Sequence, residues 1–321
     1  MKVHKRKPKA TAPKAVVLPT KPGMYDGIPF TDYCLRLKGA NSTMLRQFLH
    51  ETPSRVYYLM THPEKAEDSV ALRLGHATHA AVLEPERFEE EYARIPKFDL
   101  RTNEGKAGAL KWAEDHPTQA RLLPDKYDET LAMRDALLAH PLASKLLGAP
   151  GRTEVTVLFS IPVWKNRETG EIACQPESPG KGFVRAGEVA CKARIDKLIS
   201  WENWSTVLDL KTDRDASLAG FGKACEKFSY HAQAAMYLDA LDILAPRKRR
   251  FIHVVVDKRP PHDVAVRELD EPELREGRAA YRFALATYIQ CKKSGVWPAY
   301  FDGIEPQEMR RSAFRFTDPT Q

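Results

Sequence analysis

No apolar run in the 321-residue chain approaches the roughly 20 residues that a bilayer-spanning helix needs, so the sequence predicts no membrane span. The opening stretch MKVHKRKPKATAPKAVVLPTKPG is basic but lacks the apolar core of a secretory signal, and the expected location is the cytoplasm. Cysteine is sparse and scattered: Cys34, Cys174, Cys191, Cys225 and Cys291 form no CxxC pair. That spacing excludes a zinc ribbon, gives an iron–sulfur cluster little support, and reads as reduced, mostly buried thiols. Acidic side chains are missing from residues 1–22, which carry Lys2, Lys5, Arg6, Lys7, Lys9, Lys14 and Lys21. The whole net charge of +7 therefore lies in that segment, and residues 23–321 balance to zero. We expect 1–22 to be a disordered basic arm that either holds DNA phosphates loosely or aids solubility, and 23–321 to be a single domain. A neutral body permits nucleic-acid binding only through a local positive surface. There is no internal repeat.

What is present is ordinary in amount, with 43% apolar residues, and informative in order. In ANSTMLRQFLHETPSRVYYLM, Asn41 or Ser42 caps a helix that stops before Pro53. A second helix over about 69–84 puts Leu72, Gly75 or His76, His79 and Leu83 along one stripe. The pattern predicts further helices after the polar loop near 100 and over about 126–147. TEVTVLFSIPVW (153–164) alternates as a strand does, and residues 165–188 read as a Gly/Pro/Glu/Lys-rich excursion. Strands follow at 189–200 and 206–212 around WENWS. Next come a helical region over about 216–244 broken near Phe228–Ser229, strands at 251–258 and 264–269, and a helix over about 271–294. Helices first, then strands wrapped by helices, predict a mixed α/β domain with a helical N-terminal part.

The stretch VLDLKTD (207–213) places Asp209 and Lys211 on the same side of a strand otherwise built of Val and Leu. Alone, the triplet fits a surface pair, a structural ion pair or half of a catalytic site. If the turn between the two strands is centred between Glu202 and Asn203, Leu198 faces Val207, Asp196 faces Asp209 and Arg194 faces Lys211. Opposed carboxylates destabilise a sheet unless something compensates. One reading gives that task to a divalent cation such as Mg²⁺; the other leaves it to solvent and to Arg194 and Lys211. His79, in mid-helix, is either a satisfied core histidine or a metal ligand. In YHAQAAMY, Gln233 and Tyr237 share one helical face, with Tyr230 a turn before.

Five ordered segments carry a resemblance: GHATHAAVLEPERF (75–88), EVTVLF (154–159), KARIDKL (192–198), VLDLKTD (207–213) and YHAQAAMYLDAL (230–241). Together, over about residues 40–300, they resemble the PD-(D/E)XK nucleases, most closely the RecE-type, exonuclease VIII-like branch; GVWPAY (295–300) fits that branch too. The resemblance implies a restriction-endonuclease-like core, a central mixed sheet flanked by helices. It assigns His79, Asp196, Asp209 and the backbone carbonyl of Leu210 to Mg²⁺ or Mn²⁺. Lys211 would orient or activate the attacking water. Gln233 and Tyr237 would position the substrate strand, and Glu154 would be an acid of less uniform role in the catalytic set. Arg194 is the further candidate for DNA contact. The implied activity is a 5′→3′ exonuclease acting on the ends of linear double-stranded DNA in phage-type recombination, in the cytosol of a bacterial host. It would work as a homo-oligomeric ring and feed a single-strand annealing protein of RecT type, with no iron–sulfur cluster. The alternatives are an endonuclease with the same site and a non-catalytic DNA-binding protein on the nuclease fold.

Overall fold

The computed structural model describes residues 17–62 and 70–300. The basic arm up to residue 16, residue 69 of the second expected helix and the chain from 301 lie outside the described residues. The strands are β1 (Gly23–Tyr25), β2 (Tyr92–Arg94), β3 (Ala120–Leu122), β4 (Gly151–Asn166), β5 (Ile172–Cys174), β6 (Phe183–Trp201), β7 (Trp204–Asp213), β8 (Arg249–Asp257) and β9 (Val264–Glu268). The helices are α1 (Phe30–Leu35), α2 (Ser42–Gln47), α3 (Pro53–Thr61), α4 (Val70–Leu83), α5 (Pro85–Glu91), α6 (Asn103–Asp115), α7 (Pro124–Ala139), α8 (Pro141–Gly148), α9 (Leu218–Phe228), α10 (Tyr230–Leu244) and α11 (Glu271–Ser294).

Seven strands make one sheet in the order β1-β4-β6-β7-β8-β9, with β5 beside β4; β2 and β3 pair separately. All neighbours in the large sheet are antiparallel except β7 and β8. A parallel pair needs a crossover, and α9 and α10 supply it. The sheet is covered on both faces, so β7 and β8 are apolar on both sides rather than alternating with polar residues. Val207 and Phe251 pack in the core made with α2, α10 and α11. Leu210, Val254 and Val256 pack under α4, α7 and α8, while Leu208 and Ile252 meet Leu146 of α8. The mixed α/β fold with a central sheet flanked by helices is thus as the sequence predicts.

Several boundaries differ, each for a local reason. The helix expected over 126–147 is two, because His140 precedes Pro141, is pushed to an extended backbone (ψ 124°), and caps α8 by accepting from the Ala143 amide at 3.1 Å. Pro53 does not merely follow a helix but opens α3, whose N-cap Thr52 accepts from the Arg55 amide. The excursion over 165–188 is partly strand: β5 pairs with β4, and β6 begins at Phe183, six residues before the expected start. The break near Phe228–Ser229 is present, with Ser229 in the left-handed region (φ 50°) ending α9 and starting α10.

Helix α11 lies so close to α10 that a Cβ on Gly277 would stand 2.2 Å from the carbonyl oxygen of His231. A glycine costs helix stability in mid-helix, so its place here is explained by that approach. Gly277→Ala is expected to force the two helices apart and lower stability by about 1–3 kcal/mol, the usual cost of overpacking, read as a lower denaturant midpoint with an unchanged slope.

Candidate active site

The turn joining β6 and β7 fixes where the acids fall. Glu202 and Asn203 both have left-handed φ (48° and 65°), the geometry of a two-residue hairpin turn that matches strand twist. Register then runs Trp201–Trp204, Ser200–Ser205, Ile199–Thr206, Leu198–Val207 and Lys197–Leu208. There the ladder ends. The strands part at Asp196, whose Oδ2 accepts the Leu210 amide at 2.8 Å, a donor otherwise left without a strand partner. The expected oppositions of Asp196 with Asp209 and of Arg194 with Lys211 are therefore not made in the ladder. Arg194 pairs across to Thr156 of β4 instead.

The gap between the parting strands is closed by α4 and by an unusual turn of β4. His79 Nδ1 on α4 stands 3.5 Å from Asp196 Oδ2 and is a quarter exposed. Glu154 has φ 52° inside a strand, a conformation rare for a residue with a Cβ, and the pairing of β4 with β6 skips it and Asp196. The result is that ligand atoms of His79, Glu154 and Asp196 all lie within 4.8 Å of one another.

The electrostatics of the three are those of an acidic site that the neighbouring cations Arg194 and Lys211 only partly compensate. Burial and then the neighbouring Asp209 push the Asp196 carboxyl up to about 7. Burial and then Asp196 raise Glu154 as well, against the Arg194 guanidinium. Burial, followed by Lys211, lowers His79, which keeps it neutral and its lone pair available. Two carboxylates that resist ionising together and a neutral imidazole are a donor set suited to a hard divalent cation, which would remove the penalty.

Asp209 is nearby but differently engaged. It is 1% exposed, its Oδ1 accepts from Gln233 Nε2 at 2.9 Å, and its Oδ2 meets the Lys211 ammonium. Burial works against ionisation of Asp209, but Lys211 foremost holds it below the usual carboxylate range. It is outside the three-residue cluster, which brings Glu154 beside His79 and Asp196. Leu210 is between the two groups: its amide serves Asp196 and its backbone shares a hydrogen bond with His79. Tyr237, on the face of α10 that carries Gln233, is 5% exposed and accepts from Ser42 Oγ at 3.4 Å, and burial pushes its hydroxyl up to about 12. Arg194, expected at the DNA, is turned inward: 7% exposed, it bonds Glu154 and donates to the Ile28 carbonyl at 2.7 Å. That corrects its role to one of holding the N-terminal segment and Glu154 in place.

His253 was not foreseen. It faces Asp209 in the parallel register of β7 and β8, is fully buried, and places Nε2 3.6 Å from Asp209 Oδ2. Burial lowers its pKa to about 4, so the imidazole is neutral. The available sign was a histidine inside the apolar strand FIHVVVDK. Its neighbours, Phe221, Tyr230 and Phe251, ring it with aromatic edges and faces.

All of this opens on one broad cleft, lined by α1, α2, α4 and α9 together with His79, Glu154, Asp196, Lys211, Gln233 and Tyr237. No helix among the described residues is long and apolar enough to cross a membrane.

Residues 181–308 match a family described as a PDDEXK-like domain of unknown function (DUF3799). That segment holds Asp196, Asp209, Lys211, Gln233 and Tyr237; His79 and Glu154 lie before it. Among solved structures, the fold is similar to that of a "putative exonuclease" from Eubacterium rectale, at a TM-score of 0.52 and 11% identity over 88% of this chain and 97% of that one. A second, SSO0001, aligns over 84% of this chain and 92% of that one at 17% identity, with a TM-score of 0.34, too distant to carry an argument. No curated protein matches the sequence.

Proposed function

We propose that this protein is a metal-dependent DNA nuclease that hydrolyses phosphodiester bonds, a reading supported by the match of residues 181–308 to a family described as a PDDEXK-like domain. The observation that carries the reading is the meeting of His79, Glu154 and Asp196 within 4.8 Å beside the buried Asp209–Lys211 pair. His79, Glu154 and Asp196 would hold Mg²⁺ or Mn²⁺, with Asp209 and the Leu210 carbonyl adjoining. A divalent ion bound there would supply a more acidic water and neutralise phosphate charge.

The chain's own groups do the rest. Lys211 sets a fixed positive charge where negative charge grows on the phosphorus oxygens, and Asp209 holds that ammonium in place. Gln233 orients Asp209 by donating to Oδ1, leaving Oδ2 for Lys211. Tyr237, a turn further along α10, adds a hydroxyl that stays protonated and lines the cleft where a strand would pass. Arg194 fixes the carboxylate of Glu154 toward the site.

The finer reading is a 5′→3′ exonuclease on linear double-stranded DNA, acting in recombination as a ring with an annealing partner, in the cytoplasm. It is supported by the RecE-type order of segments and by the fold shared with the Eubacterium rectale protein. The test uses Mg²⁺ with either end-labelled linear duplex or a closed circle, and EDTA controls. We expect early release of a 5′ label, an intact circle and no reaction in EDTA. A nicked or linearised circle would instead make it an endonuclease, and DNA binding without any cleavage a non-catalytic protein.

A further inference from the structure

Along one wall of the cleft, two stacked aromatic rings are flanked by cations. The Lys211 ammonium is 4.9 Å from the centre of the Tyr230 ring. Tyr230 stacks on Phe228, with ring centres 5.6 Å apart and planes at 28°. The Lys227 ammonium stands 5.2 Å from the Phe228 ring. Arg46 joins from α2: its guanidinium carbon is 5.6 Å from the Tyr230 ring, and Nη1 donates to the Phe228 carbonyl at 2.7 Å. The ladder thus starts at the lysine beside Asp209 and ends at a phenylalanine that is 42% exposed.

Helix α9 presents this wall by its spacing. Gly220, Lys223, Ala224, Lys227 and Phe228 line the cleft, and three-and-four spacing puts them on one stripe. The stripe itself carries two lysines and no acid; the acids lining the cleft, among them Glu154, Asp196, Glu84, Glu188 and Asp213, all lie outside α9. Phe228 leaves its ring exposed beside Lys227, although burying it would be more favourable. Aromatic faces flanked by positive charge match a polymer of flat bases and phosphates. An aromatic face stacks on a base only where that base is unpaired.

We propose that the α9 stripe is the docking track of a single nucleic-acid strand, one base stacking on Phe228 and its phosphates lying on Lys223 and Lys227. The track leads the strand to Lys211. This rests on the nuclease reading and names the form in which the site takes its substrate: a strand already separated from its complement over the last few nucleotides.

The test is equilibrium binding in EDTA, where cleavage is absent, by fluorescence anisotropy. The probes are a labelled strand of about 12 nucleotides, within the range that one strand-binding module covers, and a dumbbell duplex without free ends. The native protein is expected to prefer the strand. Phe228→Ala should weaken strand binding roughly 5- to 100-fold and leave the dumbbell unchanged, while Phe228→Trp restores it. Removing both lysines should flatten the salt dependence of strand binding by about 1.4 in logarithmic slope. Equal binding by Phe228→Ala and native protein, or an equal loss on both probes, would overturn the track while cleavage by the native protein keeps the nuclease reading. A native protein that neither cleaves nor binds nucleic acid would remove both.

Discussion

Lys211→Ala is expected to lower phosphodiester cleavage by roughly 10²–10³ or more, the usual cost of losing a preorganised charge at the reacting phosphate, with metal binding intact. The second half of the expectation is the discriminating one. Lys211 is the cation in contact with Asp209, and it stands close enough to His79 to lower its pKa. Deleting it leaves a more negative site, so affinity for Mg²⁺ or Mn²⁺ should stay level or rise, while DNA held through other cations largely stays bound. The measurements are single-turnover cleavage at saturating DNA beside calorimetric titration of Mn²⁺. Normal turnover at saturation with weaker DNA binding would make Lys211 a binding residue and end its assigned role; weaker metal binding would show that the ammonium organises the acids rather than the phosphate.

Asp196→Asn should have an equally large effect on activity and the opposite effect on folding. The carboxylate faces two other acids, Glu154 and Asp209, and its pKa is pushed up to about 7 by burial first and Asp209 next. In the unfolded chain the group titrates near 3.8. Folding therefore favours its protonated form: the benefit is complete below about pH 3.8 and is lost as pH rises through about 7. At pH 8, without metal, the native protein carries the full strain of that ionised group. Asparagine keeps the acceptor for the Leu210 amide and removes the charge. The metal-free variant is accordingly expected to melt higher than the native protein at pH 8, by a margin that shrinks toward pH 5. Added Mg²⁺ should raise the melting temperature of the native protein more than that of the variant, which should no longer cleave. A variant that melts lower at pH 8, or that gains as much from Mg²⁺ as the native protein, would remove Asp196 from the metal site.

The two experiments separate roles that one activity assay would merge. Both substitutions are expected to stop cleavage, yet one should leave ion binding whole and the other weaken it. The difference follows from sign alone, since one group is a cation beside the acids and the other is one of the acids.

Much of this was legible in the chain. The hairpin register that brings Asp196 toward Asp209 follows from a two-residue turn and from the two-residue period of strands, both local properties. His79 stood out because an imidazole among Leu, Gly and Ala on a helix stripe calls for a partner, and Gln233 and Tyr237 share a face by helical spacing alone. The break at Phe228–Ser229 was visible for the same local reason. Where local rules conflict, reading failed locally: Pro141 cut a continuous helical pattern in two, and parts of the polar stretch at 165–188 became strand because β4 offers them a partner.

Only the assembled fold could place the others. Glu154 reaches His79 because its backbone turns left-handed inside a strand, which no side-chain preference of glutamate announces. Arg194 turns inward because β6 and β7 part after Lys197 and Leu208, so its partner is Glu154 of β4 and not Lys211. His253 comes behind Asp209 through a parallel pairing made only after α9 and α10 cross over. Sequence alone, then, determined which residues share a strand face, a helix stripe or a turn, because those depend on fixed periods along the backbone. Tertiary structure decided which charge meets which, because that depends on strands distant in sequence and on where a ladder of hydrogen bonds stops.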